Sequence, residues 1–146
     1  MLYTELTQKA MIICYKAHKD RFDKGGVPYV FHPFHVAEQM ETEEEICAAL
    51  LHDVVEDSNW ELEQLEAEGF PASVIEAVAL LTHNDGSEYL DYVRRLKDNP
   101  IAAKVKMADL QHNSTAGRIP NMTERDRERL AKYRQALEIL TGTEED

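Results

Sequence analysis

The sequence has 146 residues, which suits a single domain with its own hydrophobic core. Hydrophobic residues make up 43% of it and charged residues 30%, which excludes a disordered chain, and no apolar run reaches the ~20 residues that a membrane-spanning helix requires. The 28 acidic residues outnumber the 16 lysines and arginines and give a net charge of −12, which disfavours binding to nucleic acids.

Helical periodicity extends along most of the chain. Apolar residues recur at steps of three or four in segments that Gly, Pro and Asn residues interrupt, a pattern typical of amphipathic helices. In chain order the predicted helices cover 4–19, 33–40, 46–55, 58–69, 71–81, 89–96, 101–112 and 123–140. Because no strand–helix–strand alternation is present, the sequence predicts a single all-α domain over 1–146, with seven or eight helices and a frayed acidic tail at 141–146.

Capping residues and loops divide these helices. Three pairs of residues share the spacing of N-terminal capping boxes: Thr42 with Glu45, Ser58 with Glu61, and Thr123 with Asp126. Residues 19–33 read KDRFDKGGVPYVFHP and form a loop that is long for a connector, a type of loop that often carries functional residues. A second loop passes through Gly117 and Pro120.

The clearest chemical signal is the stretch ALLHDVVEDS, in which His52, Asp53, Glu56 and Asp57 interrupt an apolar helix. Helical geometry places His52 and Glu56 on one face, and Asp53 and Asp57 on the neighbouring face. Ionisable groups among apolar residues are costly unless they are paired, hydrogen-bonded or bound to a metal. The apolar neighbours disfavour the alternative of an exposed helix edge with a structural histidine, so we expect a site here.

Two further stretches carry polar residues of the same kind. VKMADLQHNS places Lys106, Asp109 and Asn113 at steps of three and four, and therefore on one helix face. The alternative for this face is a solvated Lys106–Asp109 ion pair. His32 follows the long loop, whereas His35 is expected to have a partly buried structural role.

Four of these side chains form a candidate metal-ligand set. His32, His52, Asp53 and Asp109 offer imidazoles and carboxylates without a thiolate. Such a set suits Mn²⁺, Fe²⁺ or Zn²⁺ and leaves coordination positions for water and substrate.

The order HP, HD, ED and KxADxxHN resembles that of the HD-domain metal-dependent phosphohydrolases. In particular it is similar to the hydrolase domain of the Rel/SpoT alarmone enzymes and their small stand-alone relatives, from about Ala17 through Asn113. The resemblance implies an all-helical HD-domain bundle, a divalent metal that is usually Mn²⁺, and removal of the 3′-pyrophosphate from guanosine tetra- or pentaphosphate.

The resemblance also implies residue roles. The motif match assigns metal binding to His32, His52, Asp53 and Asp109, catalysis to the acidic pair Glu56 and Asp57, and a substrate contact to Asn113. In metal-assisted hydrolysis the acidic pair would orient the attacking water or transfer its proton.

Cations of the chain are candidates to bind substrate phosphates. Arg21 and Lys24, together with Tyr29, provide a wall for the base or its phosphates, and Lys106 shares a helix face with Asp109. Further cations that a solvated surface would equally explain are Lys104 and Arg118.

Two departures from the family pattern bear on substrate choice. The chain reads NSTAGR where the family commonly has HN followed by Met-Arg-Thr, and Asp23 lies between Arg21 and Lys24. The alternatives are therefore a hydrolase for a different nucleotide or phosphorylated metabolite, a non-catalytic nucleotide sensor, and a purely structural interaction protein.

The cellular environment is predicted from the N-terminus and the cysteines. The first residues lack a basic segment followed by an apolar stretch, and Cys14 and Cys47 have no CxxC spacing. We therefore expect a cytoplasmic protein without a disulfide framework, whose partner is a small-molecule nucleotide rather than a nucleic acid or a membrane.

Overall fold

The computed structural model describes residues 1–115 and 121–143, and within them the chain forms nine helices. Their bounds are α1 (Glu5–His18), α2 (Phe31–Glu38), α3 (Glu43–Leu51), α4 (Val54–Asp57), α5 (Leu62–Ala67), α6 (Ala72–Leu81), α7 (Tyr89–Leu96), α8 (Pro100–Asn113) and α9 (Glu124–Thr141). The predicted all-α fold class is confirmed. None of these helices is both long and apolar enough to cross a membrane.

Some predicted features lie outside the described residues. These are the second loop with Gly117, Arg118 and Pro120, the second half of the NSTAGR segment that departs from the family pattern, and the last three residues of the acidic tail.

Two of the three predicted capping boxes are confirmed. The Thr42 hydroxyl accepts the N–H of Glu45 at 3.1 Å while the Glu45 carboxylate accepts the N–H of Thr42 at 3.2 Å. Thr123 and Asp126 make the same reciprocal pair, at 3.2 Å and 3.0 Å, before α9. Each box satisfies N–H groups that have no partner within the helix.

The third predicted box is wrong, because Ser58 ends α4 instead of starting α5. Its hydroxyl donates to the carbonyl of Val54 at 2.5 Å and accepts the N–H of Trp60 at 3.2 Å. The box before α5 is formed by Glu61 and Gln64, where the N–H of Glu61 donates to the Gln64 side chain at 2.8 Å.

The predicted helix 46–55 is interrupted, which separates α3 from α4. α3 ends at Leu51, and His52 and Asp53 lie between the two helices. Asp53 has φ −107° and ψ −2°, a conformation between the helical and extended regions. The hydrophobic pattern continues through this break, so it cannot reveal it, and the extra boundary raises the number of helices above the predicted seven or eight.

α3 lies at the centre of the hydrophobic core. All its residues from Ile46 to Leu51 are fully buried, and it packs against α1, α2, α6 and α8. α7 and α9 pack against α8 and against each other. Burial of this apolar surface fixes the end of α3 next to α2 and α8, and that is where the polar residues of the predicted site lie.

The long loop folds back on itself between α1 and α2. The N–H of Tyr29 donates to the carbonyl of Arg21 at 2.8 Å, and the Asp23 carboxylate accepts two backbone N–H groups of the turn. Gly26 has φ +83°, a left-handed conformation that side chains with a Cβ rarely adopt. The turn therefore places Arg21 and Tyr29 side by side.

Candidate metal centre and adjoining cavity

Three buried side chains from different helices meet beside the end of α3. His32 belongs to α2, His52 directly follows α3 and Asp109 belongs to α8, and their potential ligand atoms all lie within 4.8 Å of one another. Their exposed fractions are 2%, 2% and 5%. Asp109 Oδ1 lies 2.6 Å from His32 Nε2 and 3.5 Å from His52 Nε2. The same carboxylate oxygen thus faces two imidazole nitrogens.

The chemistry of His52 fits a bound cation. Its Nδ1 lies 2.5 Å from the carbonyl oxygen of Ala49, which can only accept, so Nδ1 carries the proton. In the neutral ring Nε2 then has a lone pair and no proton. Nε2 is buried without a hydrogen-bond partner and faces the carboxylates of Asp53, at 3.2 Å, and Asp109. A divalent cation would satisfy this nitrogen and both carboxylates together.

Without a cation, a proton takes that place. Burial alone would lower the pKa of His52, but the neighbouring Asp53 and Asp109 carboxylates outweigh burial and raise this pKa well above its ordinary value. The same nitrogen therefore attracts positive charge, whether a proton or a metal supplies it.

Asp109 stays anionic despite its burial. Burial alone would raise its pKa, but the Lys106 ammonium and the two histidines hold the pKa of Asp109 well below its ordinary value. Lys106 Nζ donates to Asp109 Oδ2 at 2.9 Å, and the Asn113 amide donates to Oδ1 at 3.1 Å. These donors orient the carboxylate toward the histidines.

Asp53 lies at the boundary between the buried centre and a second, more exposed acidic group. The Tyr29 hydroxyl donates to Asp53 Oδ2, the oxygen that faces His52. Asp53, Glu56 and Asp57 form the second group of side chains whose potential ligand atoms lie within 4.8 Å of one another.

The acidic pair of α4 is held by two different contacts. Glu56 accepts the backbone N–H of His83 at 2.6 Å, and Asp57 forms an ion pair with Arg21 at 2.9 Å. Partial burial of its carboxylate and the charges of Asp53 and Asp57 raise the pKa of Glu56. A carboxylate with a raised pKa is a stronger proton acceptor.

A cavity of about 280 Å³ lies beside these groups. Four of the predicted substrate-contacting residues line it, namely Arg21, Lys24, Tyr29 and Asn113. The Arg21 guanidinium lies 4.4 Å from the centre of the Tyr29 ring. The cavity thus combines aromatic and cationic side chains, which suits a ligand with a planar base and anionic groups.

Lys106, the fifth predicted substrate contact, lies elsewhere. Its side chain is 13% exposed, donates to Asp109 and lies over the rings of Tyr89 and Tyr92, at 5.6 Å and 5.4 Å from their centres. Its ammonium is therefore directed at Asp109, a candidate metal ligand, and not at the cavity. Lys104 pairs with Glu45 at 3.0 Å on the far side of α8.

The sequence pattern of a family described as HD domain matches residues 10–137. The chain belongs to the HD domain family.

Relatives with curated names support the resemblance of this HD domain to the Rel/SpoT alarmone enzymes. The guanosine-3′,5′-bis(diphosphate) 3′-pyrophosphohydrolase of Haemophilus influenzae is 41% identical over 87 residues, which are 57% of this chain and 12% of that protein. The enzyme of the same name from Vibrio cholerae is 31% identical over 125 residues, 81% of this chain and 18% of that protein. The chain spans less than a fifth of the length of these relatives.

A solved structure shares the fold of this HD domain. It is described as a metazoan ortholog of SpoT that hydrolyzes ppGpp and plays a role in starvation responses. The TM-score is 0.77 with 24% sequence identity, over 98% of this chain and 89% of the other. At this identity the similarity establishes the fold.

The structure adds residues to the cavity of this HD domain that the sequence did not indicate. Arg129, Leu130 and Tyr133 of α9 also line it. The helical period assigned Leu130 and Tyr133 to a core stripe. The local signal that could have suggested a binding surface is the four-residue spacing of Arg129 and Tyr133, which places them on one helix face.

The expectation for His35 is wrong. His35 is exposed rather than partly buried, and its ring stacks on that of His112, with the centres 4.0 Å apart.

Proposed function

We propose that this HD domain is a Mn²⁺-dependent phosphohydrolase that removes the 3′-pyrophosphate from guanosine tetra- or pentaphosphate. The observation that carries the proposal is the buried, unpartnered His52 Nε2, which faces two carboxylates next to a cavity with cationic and aromatic walls. The names of the Haemophilus influenzae and Vibrio cholerae relatives support the choice of substrate.

The proposed ligands are His32, His52, Asp53 and Asp109. A divalent cation held by them would supply Lewis acidity, which lowers the pKa of water and stabilises the charge of a phosphoryl group. Mn²⁺ accepts mixed imidazole and carboxylate ligands of this kind. Lys106 and Asn113 have the role of orienting Asp109, since both donate to its carboxylate.

Glu56 and Asp57 are proposed to act on the attacking water. The water oxygen bonds to the phosphorus next to the ribose, the bond from this phosphorus to the ribose 3′ oxygen breaks, and pyrophosphate leaves. Glu56 takes up one proton of the water, for which its raised pKa suits it, and releases it to solvent, while the 3′ oxygen takes a proton from solvent and becomes a hydroxyl. Asp57 orients the water and keeps Arg21 at the cavity wall through their ion pair.

The cavity is proposed to hold the nucleotide. Arg21, lying over Tyr29, provides a flat surface for the base, and Lys24 and Arg129 provide positive charge for phosphates. We propose that residues 1–146 form one hydrolase domain that contains every group named here.

A substrate comparison tests the proposal. The chain is freed of metal, loaded with Mn²⁺ and incubated with guanosine tetraphosphate, its adenosine counterpart and simple nucleotides, and the products are separated by ion-exchange chromatography. The expected result is release of pyrophosphate with a preference for the guanosine compound. Turnover without that preference would favour a different phosphoester, tight binding without turnover would favour a sensor, and absence of Mn²⁺ binding would contradict the metal centre itself.

A further inference from the structure

The ring of His112 makes an edge-to-edge contact with the ring of His32. Their Nδ1 atoms are 2.7 Å apart, their planes differ by 6° and their centres are 5.0 Å apart. Parallel rings stacked face to face would keep all their atoms at least about 3.5 Å apart. The two imidazoles therefore lie nearly in one plane and share a hydrogen bond between their Nδ1 atoms.

Either Nδ1 atom can be the donor of this hydrogen bond, and a bound cation determines which of the two donates. His32 points its other nitrogen, Nε2, at Asp109 Oδ1 and into the proposed metal centre. To bind a cation, Nε2 must lack a proton, so the neutral His32 ring carries its proton on Nδ1. Nδ1 must then donate, and His112 Nδ1 must accept.

We infer that His112 is a positioning residue of the metal centre: its Nδ1 accepts the proton of His32 Nδ1 and so fixes the tautomer and the ring plane that direct His32 Nε2 at the cation. The inference rests on the proposed function only in taking His32 as a ligand. His112 itself does not reach the cation.

The helices that carry these rings restrain them further. His112 lies three residues after Asp109 on α8, so one helix provides both a ligand and the support for a ligand of α2. His35, three residues after His32 on α2, stacks on the face of His112 with an angle of 22° between the planes. The His112 ring therefore contacts α2 through its edge and through its face, which restricts its rotation.

Calorimetric titration of the metal-free chain with Mn²⁺ tests the inference. Outer partners of metal-bound histidines contribute about 10–100-fold to metal affinity, so His112→Phe, which keeps a ring of similar shape and removes the acceptor, is expected to weaken Mn²⁺ binding by that factor. His112→Asn, whose amide oxygen lies near the position of Nδ1, is expected to restore most of the affinity. The matched control is His35→Phe, which keeps an aromatic face on His112 and is expected to bind Mn²⁺ within about threefold of the wild type.

A spectroscopic readout separates positioning from a structural role. Long-range ¹H–¹⁵N spectra of the wild-type chain loaded with diamagnetic Zn²⁺ are expected to show His32 protonated at Nδ1. The metal-free His112→Phe chain is expected to keep a cooperative thermal transition, with a melting temperature lowered only by the loss of one partly buried hydrogen bond. If His112→Phe does not fold, the role of His112 is tested by the tautomer of His32 in the wild type and by the Mn²⁺ affinity of His112→Asn.

The outcomes that would overturn the inference differ from those that would overturn the proposed function. A wild-type chain that binds no Mn²⁺ contradicts both. Three outcomes contradict the inference alone when the wild-type chain binds Mn²⁺. His112→Phe could bind Mn²⁺ as tightly as the wild type, or His112→Phe and His35→Phe could lose the same affinity. The third outcome is a His32 ring without a proton on Nδ1.

Discussion

Among single residues, Asp109 combines the most roles, since its two oxygens face different partners. Oδ1 faces the two histidines and Oδ2 accepts from the Lys106 ammonium. Burial alone would lower the pKa of Lys106, but Asp109 and the two tyrosines beneath it raise that pKa well above its ordinary value, so the ammonium stays charged. Loss of the carboxylate would therefore leave a buried positive charge without a counter-charge.

Replacing Asp109 with Asn is accordingly expected to abolish Mn²⁺ binding and to lower the free energy of unfolding by about 3–5 kcal/mol. Elemental analysis and urea unfolding in the presence of chelator measure the two effects. The double variant Asp109→Asn with Lys106→Met removes the unpaired charge and is expected to regain stability without regaining the metal. Equal stability losses in the single and double variants would show that the ion pair is not the cause.

The acidic pair of α4 provides a test of roles that leaves the proposed ligands intact. Glu56→Gln and Asp57→Asn are each expected to reduce the turnover of guanosine tetraphosphate by about 10²–10⁴-fold, while Mn²⁺ content stays normal. The amide at position 56 cannot take up the proton of the water, and the amide at position 57 lacks the negative charge that orients the water and pairs with Arg21. The exposed Glu63→Gln on α5 is the matched control. Wild-type turnover in either α4 variant would contradict its assigned role.

At the level of elements, the long loop is joined to the start of α9 by one ion pair. Lys24 Nζ lies 2.6 Å from Asp126 Oδ1, while the other Asp126 oxygen caps α9 by accepting from Thr123. Lys24 also lines the cavity.

Because a phosphate contact of Lys24 would be present in the ground state and the transition state alike, Lys24→Ala is expected to raise KM more than it lowers kcat. Steady-state kinetics and Mn²⁺ content are the measurements, with Lys19→Ala, an exposed cation at the end of α1, as control. A fall in kcat at constant KM would place Lys24 in the chemical step instead.

The end of α1 is expected to make stability dependent on pH. His18 is fully buried, and burial lowers its pKa below the ordinary value of 6.5. The unfolded chain binds a proton at His18 near that ordinary value and the folded chain does so only at lower pH, so this contribution to stability is complete above pH 6.5 and is lost as the pH falls below it.

His18→Gln is therefore expected to lessen the decrease in the free energy of unfolding between about pH 7.5 and pH 5.5, relative to the wild type. Urea unfolding at both pH values measures it. A variant whose stability falls as steeply as that of the wild type would assign the dependence to other groups.

How far the elements can be predicted depends on the range of the interactions that form them. Thr42 with Glu45 is a local capping box, and its three-residue spacing is sufficient to place the start of α3. Ser58 has the same spacing before Glu61, but its hydroxyl bonds backward to Val54. The break at Asp53 is equally hidden, because the hydrophobic pattern continues through it and the Asp53 side chain contacts Tyr29, which is distant in sequence.

In the whole molecule, the proposed metal joins segments that are distant in sequence, namely α2, the break after α3, and α8. A cation bound only by the folded chain is expected to stabilise it by about 2.7 kcal/mol when its free concentration is 100 times Kd. Thermal unfolding with added Mn²⁺ and with chelator measures this difference, and Asp109→Asn is expected to show none. An equal melting temperature for the wild type in both conditions would contradict a native-state metal site.

The same distances limit what the sequence can predict of the site. Asp53, Glu56 and Asp57 are close in sequence, so the spacing of α4 and its N-cap relates them. The wall formed by Arg129 and Tyr133 faces Tyr29 only because α9 packs against α7 and α8, a contact that no local pattern encodes. Cavity residues such as Arg129 and Tyr133 can therefore be identified only from the folded structure.

The ion pair between Lys24 and Asp126 also sets a threshold for the valence of a ligand. An anion that binds Lys24 must share the ammonium with a carboxylate held at 2.6 Å, and that carboxylate acts as a competitor at fixed local concentration. A monoanion also meets the repulsion of this carboxylate and therefore gains little. A group with several negative charges attracts Lys24 and Arg129 at the same time. The Asp126 carboxylate therefore reduces the affinity for weakly charged metabolites the most.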